Sequence, residues 1–341
     1  MRRIINNLKG SPTQSERGAT AVITAILMVV LLAFAAIAID VGMLYASRAQ
    51  LQNGADAASL AIANKCAKGT CVQAENEVTA ADFAKFNSND QLAEFKSVTR
   101  PTSNSVNVVV SKDAANGNPV QLAFANIFGT SEADVSASAT ASWGPPESGT
   151  SVPWTFGKCV FDKSLTATQK AELADTGNFT GDPSGAHVLL RSDTNAVYTP
   201  ECPTSAYPTG GFGWLDLEGG KCEATVDVGT GQAGSKPGNS IDNLCKPQLD
   251  GMLAKPILIP IFSSSTDKGG QHAEYTIYGF AAFQVTGWKF NPENHPDSLA
   301  PACTGNCRGF MGYFTRFVSL DEGLSLGTGP NLGGSIVRLT N

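Results

Sequence analysis

Histidine is scarce in this chain and charge is sparse. Its 341 residues include three histidines, His187, His272 and His295, and only 16% of residues are charged. Three imidazoles so scattered form no evident catalytic constellation, and no H-E-x-x-H zinc helix occurs. Residues 18–39 contain no Asp, Glu, Lys, Arg or His at all, and no proline interrupts residues 19–63. Cysteine is missing before position 66. A surplus of basic charge is also missing: four of the 24 Lys and Arg and one of the 30 Asp and Glu precede residue 18, which leaves the remainder with nine more acidic than basic residues. That balance excludes a nucleic-acid partner, because binding phosphates requires a basic surface.

What is present begins with the uncharged run. Residues 19–39 span about 30 Å as a helix, the thickness of a bilayer's hydrocarbon core. A secretory signal peptide has a shorter apolar region and then a cleavage site, and although AFAAIA lies near the end of this run, the run is too long for that reading. A buried core helix would be shorter and amphipathic, whereas this one is apolar all round. Arg2, Arg3, Lys9 and Arg17 precede the run against the single Glu16, so the tail of residues 1–17 is expected in the cytoplasm and the rest outside it. This places the chain in the cytoplasmic (inner) membrane as a single-pass protein.

The eight cysteines, Cys66, Cys71, Cys159, Cys202, Cys222, Cys245, Cys303 and Cys307, all follow the span. An even number confined to an exported region reads as a disulfide set. Cys66 and Cys71 are expected to pair locally across KGT, and Cys303 and Cys307 across TGN; the pairing of the other four stays open.

Beyond the span, Val41, Leu44, Leu51, Ala55, Ala58 and Ile62 recur at helical spacing, with Arg48, Gln52 and Asp56 between them. One nearly continuous helix of about 45 residues is expected, with residues 40–63 as an extension beyond the lipid. Gly42 and Gly54 permit bends. Ala21 with Ala25, and Ala38 with Gly42, give the small-xxx-small spacing that lets helices approach closely, so Ala21, Ala25, Ala38, Gly42, Leu44, Leu51, Ala55 and Ala58 are the candidate packing residues toward a partner helix.

The segments ERGATAVITAIL and AIAIDVGMLYASRAQLQNGADAASLAIA resemble the N-terminal module of TadE/TadG-like proteins of Flp (tight-adherence) pilus assembly. The residues that carry the likeness are Gly18, Asp40, Gly42, Arg48, Leu51, Gln52, Asp56, Ala57, Ala58, Leu60 and Ala61. The TadG-like branch fits best. TadE-type pseudopilins commonly carry a Glu five residues after the processing Gly, and Ile23 stands at that position here, which speaks against processing after Gly18. The resemblance implies a membrane-held accessory of a type IVc-like pilus, with other assembly or pilin subunits as partners of the N-terminal helix, no cofactor and no small-molecule substrate.

The remainder divides by composition. Residues 64–143 alternate helical and strand signals, as in a small pilin-like α/β region: a helix at 75–86 with Val78, Phe83 and Phe86 as core contacts, strands at 105–112 and 133–143, and a short helix at 120–128. Residues 144–153, GPPESGTSVP, read as a linker. From 154 to 341 the signals are mostly strands, WTFGKCVF, HVLLRS, ATVDV, ILIPIF, EYTIYGFAAFQVTGW, FMGYFTRFVSL and SIVRL, with loops rich in Gly and Pro between them. The class is α+β.

Weaker motifs are outweighed by plainer readings. Asp134, Ser136 and Ser138 match a D-x-S-x-S metal motif, but GTSEA is no apolar strand leading into it. Residues 229–236 imitate a phosphate loop with Ser235 and Lys236 in swapped order. His295 with Cys303 and Cys307 has ligands suited to zinc, yet a disulfide is the better reading outside the cytoplasm. Asn178-Phe179-Thr180 is a sequon. Trp154, Trp214 and Trp288 are better core residues than sugar-stacking faces. The alternative to pilus assembly is a surface adhesin whose β-rich domain binds matrix, host or glycan independently of pili.

Overall fold

A computed structural model describes residues 14–177, 179–192, 202, 212–234, 241–266, 273–320 and 323–340. It is an α+β chain: a long N-terminal apolar helix followed by a mostly-β region with four disulfides. Two compact units are distinguished. The first holds residues up to Ala58, Ala80–Ser97 and Val108–Ser138; the second holds Ser59–Thr79, Val98–Asn107 and Ala139–Asn341.

Helix α1 runs from Gln14 to Ala67, 54 residues, about 80 Å at the standard rise. It outlasts the expected end at residue 63 because no proline or glycine occurs among residues 64–67 to stop it. It stops where Gly69 adopts a left-handed φ of 79° and donates its N–H to the Cys66 carbonyl. The Cys66–Cys71 disulfide closes that same turn. Helix α2 (Gln73–Phe86) buries Asn76, Ala80 and Ala84, one small residue per turn. Val78 and Phe86, expected in the core, are exposed, and Phe83 is only half-buried. The reason is close approach: a Cβ on Gly54 of α1 would sit 3.3 Å from the Phe83 carbonyl oxygen and 3.4 Å from the Ala84 Cα. The helices therefore meet through their smallest faces, and the bulky side chains of α2 point away.

Strands β1 (Glu94–Thr99), β2 (Ser105–Lys112), β3 (Val120–Gln121), β4 (Glu132–Ala133) and β5 (Val135–Gly144) follow. The short helix expected at 120–128 does not form. Val120 and Gln121 pair with Ala133 and Glu132, and only Ala125–Phe128 coils, as a 3-10 turn closed by Gly129 at φ 88°.

The second unit holds most of the sheet. It comprises β6 (Pro146–Ser151), β7 (Trp154–Gly157), helices α3 (Lys158–Ser164) and α4 (Ala167–Thr176), β8 (Val188–Arg191), β9 (Phe212–Trp214), β10 (Ala224–Asp227), β11 (Gly231–Ala233), β12 (Ile257–Ser265), β13 (Glu274–Lys289), β14 (Asn294–His295), β15 (Gly309–Thr315), β16 (Phe317–Ser319), β17 (Leu324–Leu326) and β18 (Gly334–Leu339). The main sheet runs β8-β15-β13-β12-β7-β9, with β11 and β14 also on β13; β12 and β7 are parallel and the other pairs antiparallel. Both of its faces are covered. Along β13, Ala281, Phe283 and Val285 join a core with Trp154, Phe161, Phe310 and Phe314, while Phe280 and Ala282 join another with Val226, Phe262 and Ile336. A strand buried on both faces reads as a continuous apolar run, which is the pattern of ILIPIF and FAAF.

Two stretches depart from expectation. Strand β7 ends at Gly157, and Lys158–Ser164 is helical, so Val160 and Phe161 reach the core from α3. Residues 146–151 are a strand at the centre of a three-stranded sheet, β10-β6-β17. Gly149 shows why the composition there is glycine-rich: at φ 135°, a Cβ would lie 1.9 Å from the Gly323 carbonyl oxygen. Finally, β18 pairs antiparallel with the end of β5 and parallel with β16.

Candidate membrane and assembly module

In α1 the apolar run is bare. Residues 18–39 are exposed apart from a half-buried Ala36, and the helix is long and apolar enough to cross a membrane, with a mean hydropathy of 3.1 over its best window. The first charge after Arg17 is Asp40, which is buried. Its carboxylate accepts the backbone N–H groups of Ala123 (2.8 Å), Phe124 (3.1 Å) and Ala125 (2.6 Å). A buried carboxylate is costly unless donors surround it, and here three amides do so. They are the leading amides of the 3-10 turn, so Asp40 acts as that turn's cap from a distant part of the chain.

The other motif and packing residues divide into two sets. Leu51, Ala55 and Ala58 are buried within the chain, and Leu44 is half-buried. Gln52 donates to the Asp56 carboxylate (2.8 Å) and to the Ser138 carbonyl (3.2 Å), tying α1 to β5. Asn89 N–H donates to Gln50 Oε1 at 3.1 Å. By contrast Gly18, Ala21, Ala25, Ala38, Gly42 and Arg48 are exposed, and nothing lies within 4 Å of a Cβ built on Gly18 or Gly42. The small-residue pairs Ala21 with Ala25 and Ala38 with Gly42 are thus left uncovered within the chain.

All eight cysteines pair, as Cys66–Cys71, Cys159–Cys202, Cys222–Cys245 and Cys303–Cys307. The local pairs are those the spacing suggested. With Cys303 and Cys307 oxidised, His295 has no thiolate beside it and instead stacks on Trp288, centroids 4.9 Å apart. Trp154, Trp214 and Trp288 are buried. Ser136 and Ser138 face outward on β5, and Asp134 accepts the Ala114 N–H. Gly229 begins a turn into β11, whose backbone is committed to β13; Ser235 and Lys236 lie outside the described residues, as do His272 and Asn178. Residues 323–327, GLSLG, spell G-x-S-x-G, but the string is strand β17 rather than a strand-to-helix elbow, and Ser325 Oγ bonds to Ser148 Oγ at 2.7 Å.

His187 has the most distinctive polar surroundings. Its Nδ1 lies 2.6 Å from Asp297 Oδ2 and its Nε2 3.2 Å from the Pro183 carbonyl, while Thr286 donates its hydroxyl to Asp297. Burial opposes ionisation of Asp297, but donors from Thr286, His187 and the Leu299 amide outweigh it and hold the carboxyl below its ordinary range. Both ring nitrogens face acceptors and the Tyr313 ring lies 5.0 Å away, so neither nitrogen is open to a substrate. The set is a strut that fixes the 183–187 and 297–299 segments to β13.

Residues 18–64 match the Tad family model, Flp pilus-assembly TadE/G-like. The N-terminal module of this chain is thus TadE/TadG-like, and it coincides with the exposed apolar helix and the Asp40, Gln52 and Asp56 contacts. No curated protein and no solved structure matches the chain.

Proposed function

We propose that this protein is a single-pass, membrane-anchored accessory of Flp-type pilus assembly, with its N-terminus in the cytoplasm and its disulfide-bonded β-rich region outside. The observation that carries this is the coincidence of the TadE/G-like match with an apolar helix left uncovered over residues 18–39. Its role is structural. The pairs Ala21 with Ala25 and Ala38 with Gly42 pack against helices of pilus or platform subunits, where small side chains permit close contact within or near the lipid. Residues 40–341 form the extracytoplasmic part, the first of them as the helix extension of residues 40–63. The basic tail, with Arg2, Arg3, Lys9 and Arg17 against the single Glu16, supports this orientation. The buried tryptophans offer no stacking surface to a glycan, so the adhesin alternative gains nothing from them.

A count of surface pili by electron microscopy, in a clean deletion strain and its complemented control, tests this. Loss of pili restored by complementation is expected; normal pili in the deletion would remove the assembly role.

A further inference from the structure

The turn capped by Asp40 carries side chains with nothing to cover them. Ile127 is 78% and Phe128 84% exposed, two and three residues past the last amide that Asp40 holds. Asp40 itself follows Ile39, the last residue of the uncharged run, and Ala36, one turn earlier, is already half-buried. The turn is thereby fixed at the depth where α1 leaves the hydrocarbon. Tyr45, about 7–8 Å further along the helix, is also exposed, and aromatic side chains favour that layer.

We propose that residues 123–128 are an interfacial anchor: the Asp40-capped turn lays Ile127 and Phe128 into the headgroup–acyl boundary of the bilayer that α1 crosses. The inference rests on the membrane-spanning reading of α1. Its occupant is lipid because the turn is hydrogen-bonded to the exit of the span itself. The same contact solves a second problem, since a carboxylate at the edge of hydrocarbon needs donors, and the turn's three amides supply them. An anchor of this kind fixes the height and rotation of the first unit above the membrane, which a lone helix leaves free.

Phe86 provides an internal control. It is 82% exposed, but the segment that carries it lies against Gly54, about 21 Å further along α1 than Asp40. The test places the photo-crosslinker benzoylphenylalanine at position 128, 86 or 31 in the full chain, reconstituted in vesicles of phosphatidylethanolamine and phosphatidylglycerol. Lipid adducts are counted by mass spectrometry. Position 31, within the span, reports whether α1 is in the bilayer. Adducts at 128 should exceed those at 86 by about fivefold or more and approach those at 31. Adducts at 31 with none at 128, or adducts at 128 to protein instead of lipid, would overturn the anchor and leave the span intact. No adducts at 31 would overturn the span, and the anchor with it. In the Asp40→Asn chain the lipid adducts at 128 should fall several-fold while those at 31 hold; unchanged adducts at 128 would overturn the tether.

Discussion

Lys112 ends β2 with its side chain 7% exposed, and an ammonium so placed needs a fixed acceptor. Asp90 supplies it at 2.5 Å, while also accepting from Ser88 Oγ and the Leu92 amide. Burial opposes the charge on Asp90, but these donors prevail and lower its carboxyl from 3.8 to about 2. A depressed carboxyl adds stability above its unfolded value and gives it up as pH falls toward the folded one. Asp90→Asn should therefore lower the melting temperature at neutral pH, and the gap to the parent should close between about pH 4 and pH 2. Equal gaps at pH 7 and pH 2 would refute an ion-pair origin. Asp297 is more deeply placed, 8% exposed, and holds Thr286, His187 and Leu299 at once. Asp297→Ala strands all three donors, and urea unfolding should show a loss of about 2–4 kcal/mol. Neither carboxylate's role was legible in the sequence, because Asp90 meets Lys112 and Asp297 meets His187 only after distant segments pair.

Elements whose signal is local were legible, and those defined by distant partners were not. Helix α1 announces itself through an uncharged run and then a 3.6-residue apolar period without proline. Helix α4 also had a signature, the capping box of Thr166 and Gln169 with Gly177 closing the far end at φ 67°, although strand-like neighbours masked it. Strand β6 had none: PESGTS reads as linker until β10 and β17 supply its hydrogen bonds. The same contrast divides the glycines of α1. A side chain at Gly54 strikes the backbone of α2, whereas one at Gly42 meets open space. Gly54→Leu should destabilise the first unit by about 1–3 kcal/mol, since a branched side chain forced into a close helix contact displaces backbone. Gly42→Leu should leave thermal stability unchanged or raised by up to about 1 kcal/mol through helix propensity. If Gly42 faces a partner helix, that same variant, like Ala38→Leu, weakens crosslinking to pilus subunits while membrane insertion persists. Unchanged crosslinking in both variants would sink the packing model.

At the scale of the whole molecule, the cysteines connect stability with topology. Cys159–Cys202 closes a separation of 43 residues, and Cys222–Cys245 one of 23 with both sulfurs' residues in the main core. In chain-entropy terms these contribute about 4 and 3.5 kcal/mol, against about 2 for each of the two short loops. Removing Cys159 and Cys202 together should therefore shift the urea midpoint further than removing Cys303 and Cys307. Such bonds form and persist in an oxidising compartment and are rare among cytoplasmic reductants. The proposed orientation can thus be read from thiol chemistry in living cells. With the β-rich region outside, all eight cysteines are oxidised. An alkylating maleimide added to denatured, acid-quenched cells should then leave the mass of the chain unchanged, and prior reductant should admit eight adducts. With the opposite orientation the same residues lie among cytoplasmic reductants, and adducts appear without added reductant. Because four of these cysteines belong to loops of only four to five residues' separation, which close with little help from the fold, a misfolded but exported chain would still protect them. A fully reduced chain consequently reports the wrong side of the membrane, whereas protection of Cys66, Cys71, Cys303 and Cys307 with the long-range pairs open reports export without the native sheet.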